Sequence, residues 1–187
     1  MKKYIYFIRH GESLSNLNPL FSGSDDLLSD TGLKQAVLVA KRFKHIEVDA
    51  IYHSGILRAQ KTAEKIEKIT QAKPEIQYFL KERSGDFSVD GTYRYTEDFP
   101  QFLSRLTETK NFLENISPEH AVVVGHAIFL KALVSYLIIG SSLNEDLLAK
   151  FDSALAMNNA GISKCVFNEE TRKWRVMSWN DLAHLAE

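Results

Sequence analysis

Residues that could bind or move a phosphate stand at the ends of several short apolar runs in the sequence. They are Arg9-His10, the segment 54–58 that ends in Arg58, Glu82 and Gly125-His126. A guanidinium group can bind two phosphate oxygens at once, an imidazole can act as a nucleophile, and a carboxyl group can supply a proton. Because the carboxyl ends of parallel strands form the ligand crevice of an open α/β sheet, we expect these segments to converge on one site.

Each of these side chains, taken alone, also allows a structural interpretation. His10 could be a hydrogen-bonded structural histidine, Arg9 a surface ion-pairing residue and Glu82 a solvated carboxylate. Their joint occurrence at the ends of successive apolar runs favours the functional interpretation.

An alternation of strands and helices is predicted to position these residues. Apolar runs of strand length lie at 4–8, 49–53, 75–79, 121–124, 154–157, 162–167 and 174–179, and helical spacing at 29–43, 59–66, 99–113, 128–139 and 146–151. In the first helix, Leu33, Val37, Ala40 and Phe43 are the predicted inner face. The pattern predicts a single domain over residues 1–187, built as a three-layer α/β/α sandwich with a mostly parallel, mixed central sheet.

The composition limits the partners of the chain. Its 187 residues carry a net charge of -1, so no strong basic field is available to hold nucleic acid or an anionic membrane. Cys165 is the lone cysteine and can form neither an internal disulfide nor a thiolate metal site. The apolar run at 4–8 is too short for a signal peptide or a membrane span. We therefore expect a cytoplasmic protein that acts on a small substrate, and the oligomeric state stays open.

The segment Arg9-His10-Gly11-Glu12-Ser13 after a first strand resembles the signature of the histidine phosphatase superfamily, also called the phosphoglycerate-mutase-like fold. Further matches follow in the order that the family shows and span nearly the whole chain. They are Asn16, Leu28-Ser29, Gly32, Gln35-Ala36, Ser54, Leu57-Arg58-Ala59, Thr62-Ala63, Leu80-x-Glu82, Gly125-His126, Asn180-Asp181 and Ala183-His184-Leu185. The ordered set is more specific than any one motif and implies the phosphatase branch.

The resemblance implies a metal-independent phosphomonoester hydrolase that acts through a covalent phosphohistidine on His10. Glu82 is then the general acid, which later activates water as a base. The implied catalytic residues are His10, Glu82, Arg9, Arg58 and His126, and the implied substrate-binding residues are Arg9, Asn16, Arg58 and His126. His126 would donate a hydrogen bond or carry positive charge toward the phosphate. No cofactor or metal is expected, since no tight His-x-x-x-His pattern or carboxylate cluster has metal-ligand spacing.

Two alternatives to hydrolysis stay open. A phosphoglycerate-mutase-type phosphotransferase resembling this family usually carries a longer insertion after the acid motif, which keeps water from the phosphohistidine, whereas this chain has a modest loop there. A catalytically silent phospho-ligand binding module would keep the fold without turnover. The presence of His10, Glu82 and His126 together argues against that module.

The sequence departs from the family pattern in two places. His126-Ala127-Ile128 stands where the family commonly has His-Gly-Gly, and Val89-Asp90-Gly91 where many members have Glu-Gly. The phosphate motifs do not identify the natural substrate, because they bind only the phosphoryl group. The predicted regions for recognising its leaving group are residues 17–26 and the loop 84–96, with Arg83, Tyr93, Arg94 and Tyr95.

Overall fold

A mixed sheet forms the centre of the protein in the computed structural model, which describes residues 1–18, 26–87 and 93–186. The strands are β1 Lys2–Arg9, β2 Ala50–His53, β3 Pro74–Ile76, β4 Gly85–Phe87, β5 Tyr93–Tyr95, β6 His120–Gly125, β7 Ile162–Asn168 and β8 Lys173–Asp181. The helices are α1 Leu14–Leu17, α2 Asp30–Arg42, α3 Leu57–Thr70, α4 Phe99–Asn115, α5 Ala127–Ile139 and α6 Glu145–Ala154. Short 3₁₀ turns lie at Tyr78–Leu80, Gly140–Ser142 and Ala183–Leu185.

The strand order of the central sheet brings the predicted site segments to one edge. The order is β3-β2-β6-β1-β7-β8, with parallel pairing from β3 to β1 and antiparallel pairing of β7 and β8. β1 and β6 are neighbours, and Arg9 pairs in register with Gly125. The residues that follow these strands therefore start side by side, as expected for the carboxyl edge of a parallel sheet.

The two faces of the sheet are covered by different helices, which confirms the predicted α/β/α sandwich. Tyr6 and Ile8 of β1 pack in one buried cluster with residues of α2 and α3. Ile5 and Phe7 pack in the other, with residues of α4 and α5. Burying an aliphatic or aromatic side chain of this size contributes about 1.5–3 kcal/mol, so the continuous apolar run of β1 stabilises both layers at once.

The first helix buries only part of the face that the spacing predicts. Ala40 and Phe43 are buried as predicted, but Leu33 and Val37 are 40% and 42% exposed, and Gly32, Ala36 and Val39 are buried in their place. The physical reason is the close approach of α2 to the loop after β1: a Cβ on Gly32 would lie 1.9 Å from the carbonyl oxygen of Glu12. Only small residues fit this contact, and they turn the larger side chains outward.

Two of the predicted strands also differ from the structure. The third is shorter than 75–79, because Pro74–Ile76 is followed by the 3₁₀ turn that places Leu80 in the core. The strand predicted at 154–157 is wrong: α6 extends to Ala154, and the following segment is not a strand. Its carbonyls instead serve other side chains, since Met157 accepts from Arg9 Nη1 at 2.7 Å and Ala156 from Trp179 Nε1 at 2.7 Å.

Candidate active site

His10 lies directly after β1 and is held as a neutral imidazole with a defined tautomer. Its Nδ1 lies 2.7 Å from the carbonyl oxygen of Gly11, which can only accept, so Nδ1 carries the proton. The lone pair is therefore on Nε2, to which Arg58 Nε donates at 3.1 Å. Burial, followed by the Arg58 charge, holds the pKa of His10 well below its ordinary value, with a smaller contribution from Arg9. The geometry leaves Nε2 as the ring atom with an available lone pair.

The loop that carries His10 is fixed by close backbone packing. A Cβ on Gly11 would lie 2.5 Å from the carbonyl oxygen of Gly32, so residue 11 must be glycine for α2 to approach. The amide of Gly11 donates to Thr62 Oγ1 of α3 at 3.1 Å. Two helices therefore locate the backbone of the loop that carries His10.

Arg58 joins the parts of the site that lie on separate elements. It is the second residue of α3, and its Nη1 forms an ion pair with Asp26 Oδ2 at 3.1 Å. Its Nη2 lies 3.2 Å from His126 Nδ1. Asp26 has no exposed side-chain surface and also accepts from the amide and hydroxyl of Ser15, at 3.0 and 2.5 Å. A buried carboxylate thus orients the guanidinium toward the two histidines.

His126 lies opposite His10 at the start of α5, where it is the N-cap residue. The two ring centroids are 5.1 Å apart. Because a guanidinium can only donate, His126 Nδ1 accepts from Arg58, and Nε2 donates to Ser54 Oγ at 2.8 Å. Burial and the charges of His10 and Arg58 hold the pKa of His126 well below its ordinary value. Of the two predicted forms of His126, this geometry favours the neutral hydrogen-bond donor.

Arg9 is partly buried beside these residues and keeps one donor available. Its Nη1 donates to the Met157 carbonyl, while its Nε is buried and has no hydrogen-bond partner within the described ranges. The charge of Glu82 acts to raise the pKa of Arg9 against the larger lowering effect of burial, so the two groups interact electrostatically. A phosphate oxygen would satisfy the unpaired Nε–H.

The carboxyl group of Glu82 lies at the N-terminus of α5. It accepts from the amides of Ile128 and Phe129 at 3.1 and 2.7 Å, and from the amide of Arg83 at 3.1 Å. Burial raises its pKa, although these hydrogen bonds and the Arg58 charge act in the opposite direction. The contact also explains why Ala127 and Ile128 are compatible with the site, because backbone amides of an ordinary helix start hold Glu82 without a glycine.

Asn16 is connected to His10 indirectly. It is exposed at the end of α1, and its Oδ1 accepts from the Ser13 amide at 3.1 Å and from Asn159 Nδ2 at 2.9 Å. Asn159 Nδ2 also donates to the His10 carbonyl at 3.2 Å. The structure thus brings His10, Arg58 and His126 into direct contact, sets Arg9 and Glu82 beside them, and links Asn16 through Asn159.

Three residues contribute to this arrangement without a sequence-based prediction of their roles. The sequence places Asp26 in a region for leaving-group recognition, but Asp26 binds Arg58. Ser54 belongs to a motif that assigns it no role of its own, and it hydrogen-bonds His126. Asn159 lies in a segment with no recognisable signal. A polar residue directly after a buried strand could have indicated Ser54, whereas nothing local indicated Asn159.

The residues predicted to recognise the leaving group have mixed outcomes. Residues 19–25 and 88–92, which include Val89-Asp90-Gly91, lie outside the described residues, as does the Tyr93 side chain. Arg94 is exposed. Arg83 is only 3% exposed: it forms an ion pair with Glu145 at 3.2 Å and stacks 3.9 Å from the centroid of the Tyr95 ring. Arg83 is therefore fixed by its neighbours and is not a solvated arginine.

The described residues contain neither a metal-binding cluster nor a membrane-spanning helix. Within 1–18, 26–87 and 93–186, no group of three or more His, Cys, Asp or Glu side chains could hold a metal ion. No helix in the same part of the chain is long and apolar enough to cross a membrane.

Comparisons with known proteins identify relatives of this chain. The family model of the histidine phosphatase superfamily (branch 1) matches residues 5–92. A metal-independent phosphoserine phosphatase of Arabidopsis thaliana is 29% identical over 211 residues, which cover 97% of this chain and 83% of that protein. The 2,3-bisphosphoglycerate-dependent phosphoglycerate mutase 1 of Arabidopsis thaliana is 45% identical over 60 residues, but these span only 18% of that protein. A mycobacterial glucosyl-3-phosphoglycerate phosphatase structure has a TM-score of 0.74 at 20% identity, over 96% of this chain and 99% of that one.

The chain resembles the histidine phosphatase superfamily, because the family model matches residues 5–92 and a phosphatase relative aligns with nearly its whole length. These similarities support phosphoester hydrolysis.

Proposed function

We propose that this chain hydrolyses phosphomonoesters through a covalent phosphohistidine on His10, with Glu82 as general acid and then general base. The observation that carries the proposal is the state of His10: Nδ1 is bonded to the Gly11 carbonyl, and the lone pair of Nε2 faces Arg58. A neutral imidazole beside a fixed guanidinium is suited to attack a phosphate that the same guanidinium binds.

In the first step, Nε2 of His10 attacks phosphorus and the bond between phosphorus and the alcohol oxygen breaks. The proton of Glu82 passes to the departing oxygen, which would otherwise leave as a costly alkoxide. The raised pKa of Glu82 supports this role, because it favours the protonated form at a given pH. The Gly11 carbonyl stabilises the positive charge that develops on the phosphorylated ring.

In the second step, the Glu82 carboxylate takes a proton from water while the water oxygen attacks phosphorus and the bond to Nε2 breaks. Inorganic phosphate leaves, neutral His10 is restored, and Glu82 again carries its proton. Arg9, Arg58 and His126 supply donors to the three nonbridging oxygens in both steps. For this, Arg58 Nε moves from the lone pair of His10, and the Nε2–H of His126 moves from Ser54 Oγ, each to a phosphate oxygen. We assign Asn16 to phosphate binding at the exposed side of the site.

Access of water favours hydrolysis over transfer to a second alcohol. Glu82 lines a cavity of about 370 Å³ that opens to solvent. Water in this cavity can reach Glu82, the proposed general base, whereas a mutase must keep water from its phosphohistidine. Mutase chemistry is the second candidate because of the 45% identity over 60 residues to a phosphoglycerate mutase.

Rapid-quench trapping with an aryl phosphate tests the proposal. We expect a burst of alcohol release, an acid-labile phosphoryl group on His10, and release of phosphate that matches alcohol release when a second alcohol is added. The His10→Ala protein should form no phosphoenzyme and lose turnover by about 10³-fold or more. Normal turnover in His10→Ala would refute the nucleophile, phosphate release that falls short of alcohol release would favour a mutase, and binding without either would leave a silent module.

A further inference from the structure

A cavity adjoins the proposed phosphate-handling residues at Glu82. The cavity of about 370 Å³ beside Glu82 is lined by Tyr78, Lys81, Glu82, Ser84, Thr96 and Gln101, together with the Glu97 and Arg105 pair. Its lining combines apolar surface with polar groups, including the hydroxyls of Ser84 and Thr96 and the amide of Gln101, and Tyr78 contributes a phenol ring that is 67% exposed. Such a surface suits a small hydroxylated molecule rather than a lipid chain.

The cavity borders the phosphate-handling residues on two sides. Glu82, the proposed acid, belongs to both. Tyr78 packs against Gly55, whose added Cβ would lie 3.2 Å from Tyr78 Cε1, and Gly55 follows the Ser54 that bonds His126. A phosphomonoester that places its bridging oxygen at Glu82 therefore has its alcohol portion beside this cavity.

Most of the charge in the cavity is neutralised within the protein. Arg105 donates to both oxygens of Glu97, at 2.8 and 2.5 Å, and to the carbonyls of Phe79 and Lys81. Lys81 is different: it is exposed, and its Nζ lies 5.1 Å from the centroid of the Tyr78 ring. Within the described ranges it has no carboxylate partner at ion-pair distance, so it is the cation of this cavity that can bind a ligand.

We propose that this cavity holds the alcohol portion of the substrate and that Lys81 selects alcohols bearing a second anionic group, such as a carboxylate. The inference rests on the proposed function, because it takes Glu82 as the point where the alcohol leaves. Arg83 is the alternative cation on the neighbouring residue, but its ion pair with Glu145 and its stacking on Tyr95 leave it committed. Lys81 also lies next to Glu82 in the chain, so its position follows that of the acid.

A matched pair of substrates isolates the role of Lys81. Glycerate 3-phosphate and glycerol 1-phosphate differ by a carboxylate in place of a hydroxymethyl group, and the readout is the ratio of their kcat/KM values. We expect the wild type to favour the glycerate, and Lys81→Met to lower the ratio about three- to fivefold, the range of an exposed charge pair. Lys81→Glu should lower it by about tenfold or more, Lys81→Arg should keep it, and 1 M salt should reduce the wild-type preference. The control is Lys73→Met, the same change at an exposed lysine paired with Glu67.

The outcomes separate this inference from the proposed function. Ratios that stay within twofold in both Lys81→Met and Lys81→Glu, while the wild type turns over both compounds, overturn the role of Lys81 and leave the hydrolase standing. A wild type that turns over neither compound nor an aryl phosphate overturns the proposed function. In that case calorimetric binding of the same two compounds to the His10→Ala protein and to its Lys81→Met derivative decides the Lys81 preference, since an unchanged affinity ratio refutes it.

Discussion

Asp26 holds Arg58 through a buried ion pair, and the Asp26→Asn change should disturb both phosphate binding and the state of His10. Asparagine has nearly the same shape but no charge, and its amide nitrogen would face donors. The lost interaction is one charge-assisted hydrogen bond to Arg58 Nη1, at 3.1 Å, from a carboxylate with no exposed surface. Such a bond contributes about 1.5–3 kcal/mol, and each 1.36 kcal/mol is a factor of ten in rate. We expect kcat/KM to fall by about 10- to 150-fold.

The pH profile distinguishes a positioning role from a general loss of stability. The Arg58 charge lowers the pKa of His10, so a displaced Arg58 lets that pKa rise. Since the neutral imidazole is the reactive form, the acid limb of kcat/KM should move to higher pH in Asp26→Asn. The assay is phosphate release across pH at substrate concentrations below KM.

Asp181→Asn is the matched control, because Asp181 also pairs with an arginine, Arg42, at 2.9 Å but on the surface. It should leave both the rate and the acid limb in place. The reasoning is refuted if Asp26→Asn keeps kcat/KM within twofold of the wild type and its acid limb coincides with that of the wild type.

Three further predictions follow from the geometry of the site and its supporting loop. Glu82→Gln should slow release of alkyl alcohols by about 10²- to 10⁴-fold and of nitrophenol far less, because a good leaving group needs no proton; equal losses for both in burst kinetics would contradict the acid role. The acid limb of wild-type kcat/KM, measured by stopped assays across pH, should lie below pH 6.5, because burial and the Arg58 charge lower the pKa of His10. An acid limb above that pH would contradict the lowered pKa. Gly32→Ala should lower the free energy of unfolding, measured by urea titration, by at least about 2 kcal/mol, because the added Cβ would lie 1.9 Å from the Glu12 carbonyl oxygen. The control is Leu33→Ala at the neighbouring residue, which is 40% exposed. A loss no greater than that of the control would disprove the steric argument.

The sequence by itself was sufficient for the layered fold, and it predicted the candidate site residues that the structure brings close together. The buried run of β1 and the apolar segment 121–124 have the length and the β-branched residues that identify a strand from sequence alone. Because the two strands are parallel neighbours, the polar residues that follow them lie at the same edge of the sheet. The ordered motifs around His10, Arg58, Glu82 and His126 then indicated phosphate chemistry. These features are short-range along the chain, which is why they can be read without coordinates.

Tertiary structure alone decided how these groups are held and which of their neighbours matter. The tautomer of His126 depends on Arg58, 68 positions away, and the orientation of Arg58 depends on Asp26, 32 positions away. The exposure of Leu33 and Val37 in α2 followed from a backbone contact with the loop after β1, which the periodicity of the helix does not show. Arg83 and Lys81 flank the same glutamate, yet one is buried in an ion pair and the other is exposed to a cavity. Contacts between distant segments set these outcomes, because the burial and charge of a side chain are properties of the space around it.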